Sequence, residues 1–224
     1  MTDISINTGP NSFRESLLVQ GFAVFPEASD TDLARFAGDL LQHGSVLEIP
    51  LDREFAERGI PWHVEGLYRP EVPRFVALKC RTPSRVGGRT GILDGNMLAR
   101  RLLASEPRFA EIRLIHRKAE ERGEHPLFIK HPETGLMSVL FRQGDPKDME
   151  IAPSRVKLRR GLTNYLRNTL DEALATCSRE AVRHRWHCGD ILVLDNLRVL
   201  HSREPYSGKR ELQRVLVFRG LDAG

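Results

Sequence analysis

Two short segments far apart in the 224-residue chain place the tightest constraint on how this sequence can fold. In the first third, Pro61-Trp62-His63-Val64-Glu65-Gly66 contains a histidine and a glutamate two positions apart, and near the end an apolar run from Ile191 leads on to His201. Alternate residues of a β-strand point to the same side of a sheet, so His63 and Glu65 can converge on one point. His201 must reach that point from elsewhere, and we expect a rolled β-sheet that brings the two segments side by side.

Two imidazoles and one carboxylate are the ligand set with which proteins hold non-haem Fe(II) while leaving coordination positions open. A His-x-Glu pair alone is weak evidence, because a surface or core histidine beside a glutamate also arises by chance. Further motifs accompany the pair and raise its weight: Gly87-Gly88-Arg89-Thr90, His131-Pro132-Glu133-Thr134-Gly135, Gly189-Asp190 through Asp195-Asn196, and Arg210-Glu211-Leu212-Gln213-Arg214.

With these motifs in this order, the chain from about Gly21 to Arg219 resembles the Fe(II)/2-oxoglutarate-dependent dioxygenases of the taurine dioxygenase and clavaminate synthase-like superfamily. The resemblance implies that His63, Glu65 and His201 are the Fe(II) ligands. It also implies 2-oxoglutarate and O2 as cosubstrates.

The resemblance assigns Thr90, the last residue of the Gly-Gly-x-Thr turn, as a hydroxyl donor to 2-oxoglutarate, and Arg210 as the partner of its distal carboxylate. A guanidinium offers a planar fork of donors and keeps its charge, so it holds a carboxylate in one orientation. Arg214, four residues on, is assigned to an anionic substrate. An exchange of roles between Arg210 and Arg214 stays open as an alternative.

The activity implied is decarboxylation of 2-oxoglutarate to succinate, coupled to hydroxylation of a small anionic or zwitterionic substrate. Relatives that halogenate lack the carboxylate ligand, so Glu65 argues against halogenation. A glutamate in place of the commoner aspartate is typical of the clavaminate synthase-like branch and favours an amino-acid-like substrate. Desaturation, epoxidation or ring closure stay open, as does a substrate tethered to a carrier protein.

Two rival hypotheses keep the metal site without this chemistry. A non-catalytic metal-binding or sensor protein usually loses a metal ligand or the cosubstrate arginine, whereas all of these residues are present here. A cupin-like zinc or manganese enzyme that needs no cosubstrate leaves Thr90 and Arg210 without a task.

Composition argues against several classes of partner. The formal net charge is +4, with 34 basic and 30 acidic residues, and the one basic cluster, residues 155–160, lacks the aromatic residues of a nucleic-acid-binding surface. No apolar run is long enough to cross a bilayer, and the N-terminus has no signal-peptide pattern. Three cysteines without a CxxC motif suit reduced thiols. We therefore expect a cytoplasmic protein that binds small molecules, not nucleic acid or membrane, and that is free to form a homo-oligomer.

Periodicity and turn signals predict many short strands with helices outside them. This pattern indicates a mainly β protein with flanking helices and a double-stranded β-helix (jelly-roll) core, in a single domain over residues 1–224. Residues 1–12 are expected to be loose, and residues 45–60 and 140–154 to form mobile or lid-like segments that carry specificity. Helices are predicted over residues 13–19, from Ser29 to a stop at Gly44, 95–103 and 155–176, and residues 107–117 are predicted to form a helix that runs into a strand. Strands are predicted over residues 21–26, 74–79, 89–93, 128–129, 138–141, 181–187, 190–194 and 213–219.

Other polar residues receive a mainly structural interpretation. His125 and His131 flank a predicted hairpin, and Asp195 and Asn196 are expected to orient the strand end near the metal site. The zinc-like cluster of His184, His187 and Cys188 has no second ligand pair, so we do not expect it to bind metal. Residues that can line the pocket, although simple exposure explains each of them better, are Tyr68, Arg142, Gln143 and Arg203.

Overall fold

Two antiparallel β-sheets lie face to face, and helices cover their outer sides. The computed structural model describes residues 10–32, 44–50, 58–144, 149–152 and 162–219. Its long helices are α1 (Pro10–Gln20), α2 (Gly95–Ser105) and α3 (Leu162–Cys177), and a 3-10 helix spans Pro107–Glu111. The strands, in chain order, are β1 (Phe22–Phe25), β2 (Gly44–Pro50), β3 (Ile60–His63), β4 (Phe75–Thr82), β5 (Val86–Gly87), β6 (Thr90–Asp94), β7 (Arg113–Lys118), β8 (Glu121–Pro126), β9 (Phe128–Lys130), β10 (Met137–Val139), β11 (Met149–Ile151), β12 (Val182–His184), β13 (Ile191–Asp195), β14 (Val199–Arg203), β15 (Tyr206–Ser207) and β16 (Glu211–Arg219).

The larger sheet has the strand order β1-β13-β4-β16-β2, and the facing sheet has the order β12-β6-β14-β3. Smaller antiparallel ladders join β11, β7 and β8, then β9 and β10, and finally β5 and β15. Strands distant in sequence are neighbours, since β1 pairs with β13 and β3 pairs with β14. This is the arrangement of a jelly roll with flanking helices, and the predicted fold class is confirmed.

Strand β4 shows why the larger sheet lies between two apolar layers. Val76 and Leu78 face the smaller sheet, where they pack in one cluster with Ile92 and other residues. The alternate residues Phe75 and Ala77 face the opposite way and pack in a second cluster with residues that include Leu17 of α1. A strand buried on both faces has no polar alternation, which explains its almost continuous apolar sequence.

The facing sheet uses the same alternation to separate its core from the site. Leu93 and Leu200 point outward into a cluster with residues of α2 and α3, while Ile92 and Val199 point inward between the sheets. His201 follows Val199 by two positions, and therefore lies on the inner face. The space between the two sheets thus receives the chemically active side chains.

The start of the chain is more ordered than predicted. Residues 10–12 belong to α1, which begins at Pro10, so the expectation of a loose segment is wrong for them; residues 1–9 lie outside the described ranges. Proline suits the first turn of a helix, because its fixed φ is helical and its missing N–H would have no partner there.

Only the start of the second predicted helix lies within the described residues. The Ser29 backbone N–H donates to Asp32 Oδ2 at 2.7 Å, and the Asp32 N–H donates to Ser29 Oγ at 3.1 Å, a reciprocal cap that opens helical turns at 30–32. Residues 33–43 lie outside the described part of the chain. Gly44 does not end a helix as predicted; it begins β2, which pairs along β16. The prediction of a mobile segment is therefore wrong for residues 45–50.

Strands β8 and β11 occur where none was predicted. Residues 149–151, expected to belong to a lid, form β11 and pair with β7. The helix running into a strand that was predicted over 107–117 is observed as the short 3-10 helix followed by β7, and β8 completes a hairpin with a tight turn at Ala119-Glu120. The charged residues of this hairpin hid it, because only alternate positions such as Gly123 and His125 are buried.

Several predicted elements are confirmed with shifted ends. The hairpin of β9 and β10 forms, and α3 is seen from Leu162 onward, while residues 153–161 lie outside the described ranges. The strand predicted over 181–187 is shorter, because β12 ends at His184. Trp186 consequently lies in the irregular segment that follows β12, and its contacts matter for the site.

Candidate active site

The fold brings His63, Glu65 and His201 together. His63 ends β3 and pairs directly with His201 in the middle of β14. One ligand atom from each of the three side chains lies within 4.8 Å of the others, and all three residues are buried. The two imidazole centroids are 4.1 Å apart with an interplanar angle of 48°. The juxtaposition expected from the sequence is therefore present.

The ring nitrogens suit a metal ion. His63 Nδ1 lies 2.8 Å from the Pro61 carbonyl oxygen, which can only accept, so Nδ1 carries the hydrogen and Nε2 keeps a lone pair. That Nε2 atom is 3.8 Å from Glu65 Oε2. His201 Nδ1 is buried and makes no hydrogen bond within the described residues. A bound cation would satisfy groups that otherwise leave buried polar atoms without partners.

The protonation states also fit a divalent metal. Burial alone would raise the pKa of the Glu65 carboxyl, yet the neighbouring His63 imidazole and the charge of Arg214 hold that pKa well below its usual value. Burial, with the neighbouring His63 ring acting in the same direction, lowers the pKa of His201 well below 6.5. An ionised carboxylate and a neutral imidazole are the forms that bind metal. This donor set matches the two-histidine, one-carboxylate site of Fe(II) oxygenases.

Arg214 contacts the carboxylate of this set. Its side chain shares the inner face of β16 with Leu212 and Leu216, and Nη1 donates to Glu65 Oε2 at 2.7 Å. The ion pair is largely buried, with the side chains 14% and 8% exposed. The sequence assigned Arg214 to the substrate, and that role stays a prediction. Its hydrogen bond to the candidate metal ligand was not foreseen.

Asn196 fixes the backbone of Glu65 from both sides. Its Oδ1 accepts the Glu65 N–H at 2.9 Å, and its Nδ2 donates to the Glu65 carbonyl at 3.1 Å and to the Pro73 carbonyl at 2.8 Å. The residue is fully buried, so no water competes for these bonds. The predicted orienting role thus has a concrete form, although it acts on Glu65 and not on the strand end.

Asp195, the neighbouring residue, ties three segments together. Its carboxylate pairs with Arg74 through one oxygen and accepts from His131 Nε2 at 2.8 Å through the other. His131 Nδ1 accepts the Thr134 N–H at 3.0 Å, which locks the turn that follows β9. The structural role predicted for His131 is confirmed. This network holds the end of β13 just behind the metal-ligand cluster.

The residues assigned to 2-oxoglutarate lie along one side of the cluster. Thr90 pairs directly with Arg203 across β6 and β14, and directly opposed residues share a face, so Thr90 lies on the inner face with His201. Its Oγ1 accepts a hydrogen bond from Trp186 Nε1 at 3.0 Å. This contact was not foreseen, because Trp186 and Thr90 are 96 positions apart in the chain.

Arg210 lies against the glycine turn that leads into Thr90. Its Nη2 is 3.4 Å from the Gly88 carbonyl oxygen, and its guanidinium is 5.4 Å from the Tyr206 ring centroid. Gly88 has φ 72°, and a Cβ there would lie 3.2 Å from Arg210 Nε, so the turn leaves the space a guanidinium needs. Burial, aided by the charge of Arg203, lowers the pKa of Arg210 to about 10.

Arg203 also contacts the Tyr206 ring, with its guanidinium 5.0 Å from the ring centroid. Two guanidinium groups, that of the buried Arg203 and that of the partly buried Arg210, therefore contact one phenol ring. Arg210 forms no ion pair with a carboxylate in the described part of the chain. Withdrawing a cation from water without a counter-ion is costly, and a dianionic ligand would relieve that cost.

The remaining candidates have structural roles or lie beside the cluster. Asp190 holds His184 and His187 at 3.4 and 3.5 Å, and no group of three metal ligands in the described ranges includes them or Cys188. Arg142 forms an isolated bridge with His63, which places it next to the cluster. Tyr68 is buried under Lys118, whose Nζ is 4.9 Å from the ring centroid.

Comparison with known proteins agrees with this geometry. The profile of the family described as "Taurine catabolism dioxygenase TauD, TfdA family" matches residues 6–216. The chain belongs to this family. It is an Fe(II)- and 2-oxoglutarate-dependent dioxygenase, as the motifs predicted. Within the described ranges, no helix is long and apolar enough to span a membrane.

The names of individual similar proteins record different activities or ligands. The 3-((Z)-2-isocyanoethenyl)-1H-indole synthase of Fischerella ambigua is 26% identical over 223 residues, covering 90% of this chain and 81% of that protein. The tyrosine isonitrile desaturase of Pseudomonas aeruginosa is 29% identical over 230 residues, covering 89% of this chain and 76% of that protein. The crystal structure of AAD-2 in complex with Mn(II) and N-oxalylglycine is similar with a TM-score of 0.73 at 17% identity, covering 99% of this chain and 92% of that chain, which shows the shared fold.

Proposed function

We propose that this dioxygenase oxidises a small amino-acid-derived acid and that His63, Glu65 and His201 hold its Fe(II). The observation that carries the metal assignment is the convergence of three buried ligand atoms within 4.8 Å. Bound Fe(II) supplies the activation of O2 that the protein's own side chains lack. The chain's contribution is to hold the reactants, fix their orientation and exclude water.

Arg210 and Thr90 would hold 2-oxoglutarate. Arg210 is a desolvated guanidinium that pairs with no carboxylate in the described ranges, and a bidentate pair with the distal carboxylate would satisfy it. Thr90 lies on the same inner face as His201 and would donate to the same cosubstrate. Anchoring one end of the cosubstrate in this way leaves its keto-acid end near the metal ligands.

Arg214 would act close to the metal and not at a remote substrate pocket. It donates to Glu65 Oε2, the oxygen that lies 3.8 Å from His63 Nε2, and so fixes the orientation of the carboxylate beside the imidazoles. We retain Arg214 as a substrate contact, now with the added task of orienting Glu65.

The substrate and the outcome follow the relatives. Two relatives act in isonitrile chemistry, and the name of one records a desaturation while that of the other records an ethenyl product. We propose removal of two hydrogens from the substrate to leave a C=C bond, with 2-oxoglutarate and O2 giving succinate, CO2 and water. Hydroxylation, the outcome expected from the sequence, differs only in that one oxygen atom of O2 enters the product.

One assay tests the activity and separates the two outcomes. The iron-loaded protein is given 2-oxoglutarate, 18O-labelled O2 and a panel of free amino acids and their isonitrile derivatives, including tyrosine isonitrile. Substrate-stimulated succinate, with a product two mass units lighter and free of label, is the expected result. A labelled product two mass units heavier than the unlabelled alcohol indicates hydroxylation. Absence of stimulated succinate with every compound contradicts the proposed substrate class.

A non-catalytic metal sensor is the rival function, and the same samples test it. A sensor would bind Fe(II) without consuming 2-oxoglutarate, even slowly and without substrate. Uncoupled succinate formation by the wild type, lost in Arg210→Ala, would exclude the sensor hypothesis.

A further inference from the structure

One buried hydrogen bond beside the site joins residues far apart in the chain. Trp186 Nε1–H donates to Thr90 Oγ1 at 3.0 Å, and the two residues are 5% and 3% exposed. An indole nitrogen can only donate, so the threonine oxygen must be the acceptor. Within the described residues the Thr90 hydroxyl makes no second hydrogen bond. Its own hydrogen is therefore left to donate to a ligand.

Packing around the ring fixes the position of Trp186. Its ring packs in the core cluster between the two sheets and meets the His184 ring edge-on, with centroids 4.6 Å apart and an angle of 82°. His184 in turn pairs directly with Thr90 across β12 and β6. Trp186 follows the end of β12 by two residues, and its ring is held against His184, the strand partner of Thr90, so the position of the donor is fixed.

Thr90 lies beside the residues assigned to the cosubstrate and the metal. Thr90 lies on the inner face between the sheets, opposite Arg203 and two residues after Gly88, whose carbonyl contacts Arg210. Its own strand contributes Ile92 to the pair with His201. Along the chain, Thr90 therefore lies between Ile92, the pair of His201, and Gly88, the contact of Arg210.

We propose that Trp186 is a positioning residue that makes the Thr90 hydroxyl a dedicated donor to 2-oxoglutarate. This inference rests on the proposed role of Thr90. A threonine hydroxyl without the indole can rotate and satisfy itself with another acceptor or a water, and its donor direction is then set only when the ligand arrives. With the indole present, the orientation exists before binding, which lowers the cost of ordering the site.

A double-mutant cycle measures the coupling. Wild type, Trp186→Phe, Thr90→Val and the double variant are loaded with Mn(II), and the Kd of N-oxalylglycine, an unreactive 2-oxoglutarate analogue, is measured by calorimetry. Phenylalanine keeps an aromatic ring and removes the N–H, and valine keeps the shape of threonine without its hydroxyl. Trp186→Phe should raise Kd about threefold to tenfold, the equivalent of one neutral hydrogen bond, when Thr90 is present. The same change should leave Kd unaltered in the Thr90→Val background.

The control outcomes separate this inference from the proposed function. An equal effect of Trp186→Phe in both backgrounds means that the tryptophan acts only through packing, which overturns the inference. Thr90→Ser keeps the hydroxyl and should keep the sensitivity to Trp186→Phe. Failure of the wild type to bind N-oxalylglycine contradicts the proposed cosubstrate site itself, whatever the cycle shows.

A second measurement does not depend on folding of the tryptophan variant. The chain has two tryptophans, so Trp62→Phe assigns the indole hydrogen signal of Trp186 in the NMR spectrum. N-Oxalylglycine binding to the Zn(II)-loaded protein should shift this signal, because the acceptor hydroxyl becomes polarised when it donates to the ligand. A Trp186 signal that stays in place, or that shifts equally in Thr90→Val, overturns the inference.

Discussion

Replacement of Asn196 by alanine tests how the chain holds its candidate carboxylate ligand. The change removes the three hydrogen bonds that the amide makes with the Glu65 N–H, the Glu65 carbonyl and the Pro73 carbonyl. Each is worth about 1 kcal/mol net, so we expect a loss of about 3 kcal/mol, and more if the backbone groups stay buried without partners. For a chain of this length the melting temperature should fall by roughly 6–12 °C.

The matched control is Asn96→Ala. Asn96 also donates its Nδ2 to a backbone carbonyl, that of Met137 at 2.8 Å, but makes only this one amide bond and lies in α2. It should cost about 1 kcal/mol and leave metal binding unchanged. Asn196→Asp keeps the acceptor for the Glu65 N–H but turns an oxygen toward two carbonyl oxygens, so it should destabilise at least as much as alanine.

Urea denaturation gives the free energy of unfolding, and titration with Mn(II) gives the metal affinity. We expect Asn196→Ala to weaken Mn(II) binding about 10- to 100-fold, as is typical for groups that orient a metal ligand. The reasoning is refuted if the free energy of unfolding of Asn196→Ala lies within about 1 kcal/mol of the wild-type value and its Mn(II) affinity equals that of Asn96→Ala.

The remaining predictions concern the site and one buried histidine. Arg210→Ala should raise the Kd of N-oxalylglycine about 10- to 100-fold and Arg210→Lys less, since lysine keeps the charge without the fork; equal binding by both variants and wild type would contradict the assignment. His201→Ala should lose Mn(II) affinity by at least about 100-fold, whereas His125→Asn, a change at another buried histidine, should keep it. Burial lowers the pKa of His116 from 6.5 to about 4, with the charges of His125 and Arg142 acting in the same direction. Below the unfolded pKa of 6.5 the unfolded chain binds a proton that the folded protein does not, so the free energy of unfolding falls as the pH drops from 6.5 toward 4. Between about pH 7 and about pH 5, the free energy of unfolding of wild type should therefore decrease by about 2 kcal/mol more than that of His116→Asn, and parallel pH profiles would refute this.

The convergence of the three candidate metal ligands was predicted more fully than the strands around them. His63, Glu65 and His201 carry their chemistry in their side chains, and the spacing of the first two fixes their shared face on a strand. Strand β2, by contrast, follows a predicted helix stop and is defined only by its pairing with β16. The β7–β8 hairpin is polar along most of its length, so its pattern resembled that of a surface segment.

Buried strands were predicted well because their sequence records their surroundings. The run Ile191–Asp195 is buried throughout, which requires apolar residues at successive positions and leaves little ambiguity. The position of such a strand in the sheet is another matter. That β13 lies between β1 and β4 depends on pairings over long sequence distances, which no local pattern encodes.

The contacts that tune the site belong to the tertiary structure alone. Asn196 reaches the Glu65 backbone, Arg214 reaches the Glu65 carboxylate, and Trp186 reaches Thr90, each pair being about 100 or more positions apart. A sequence lists donors and acceptors but not which of them share a buried space. The sequence by itself determined the chemistry that this protein can hold, because residue types and local spacing are written in it. The tertiary structure decided how those groups are oriented and paired, because burial between two sheets forces each polar atom to find a partner that only the fold can bring near.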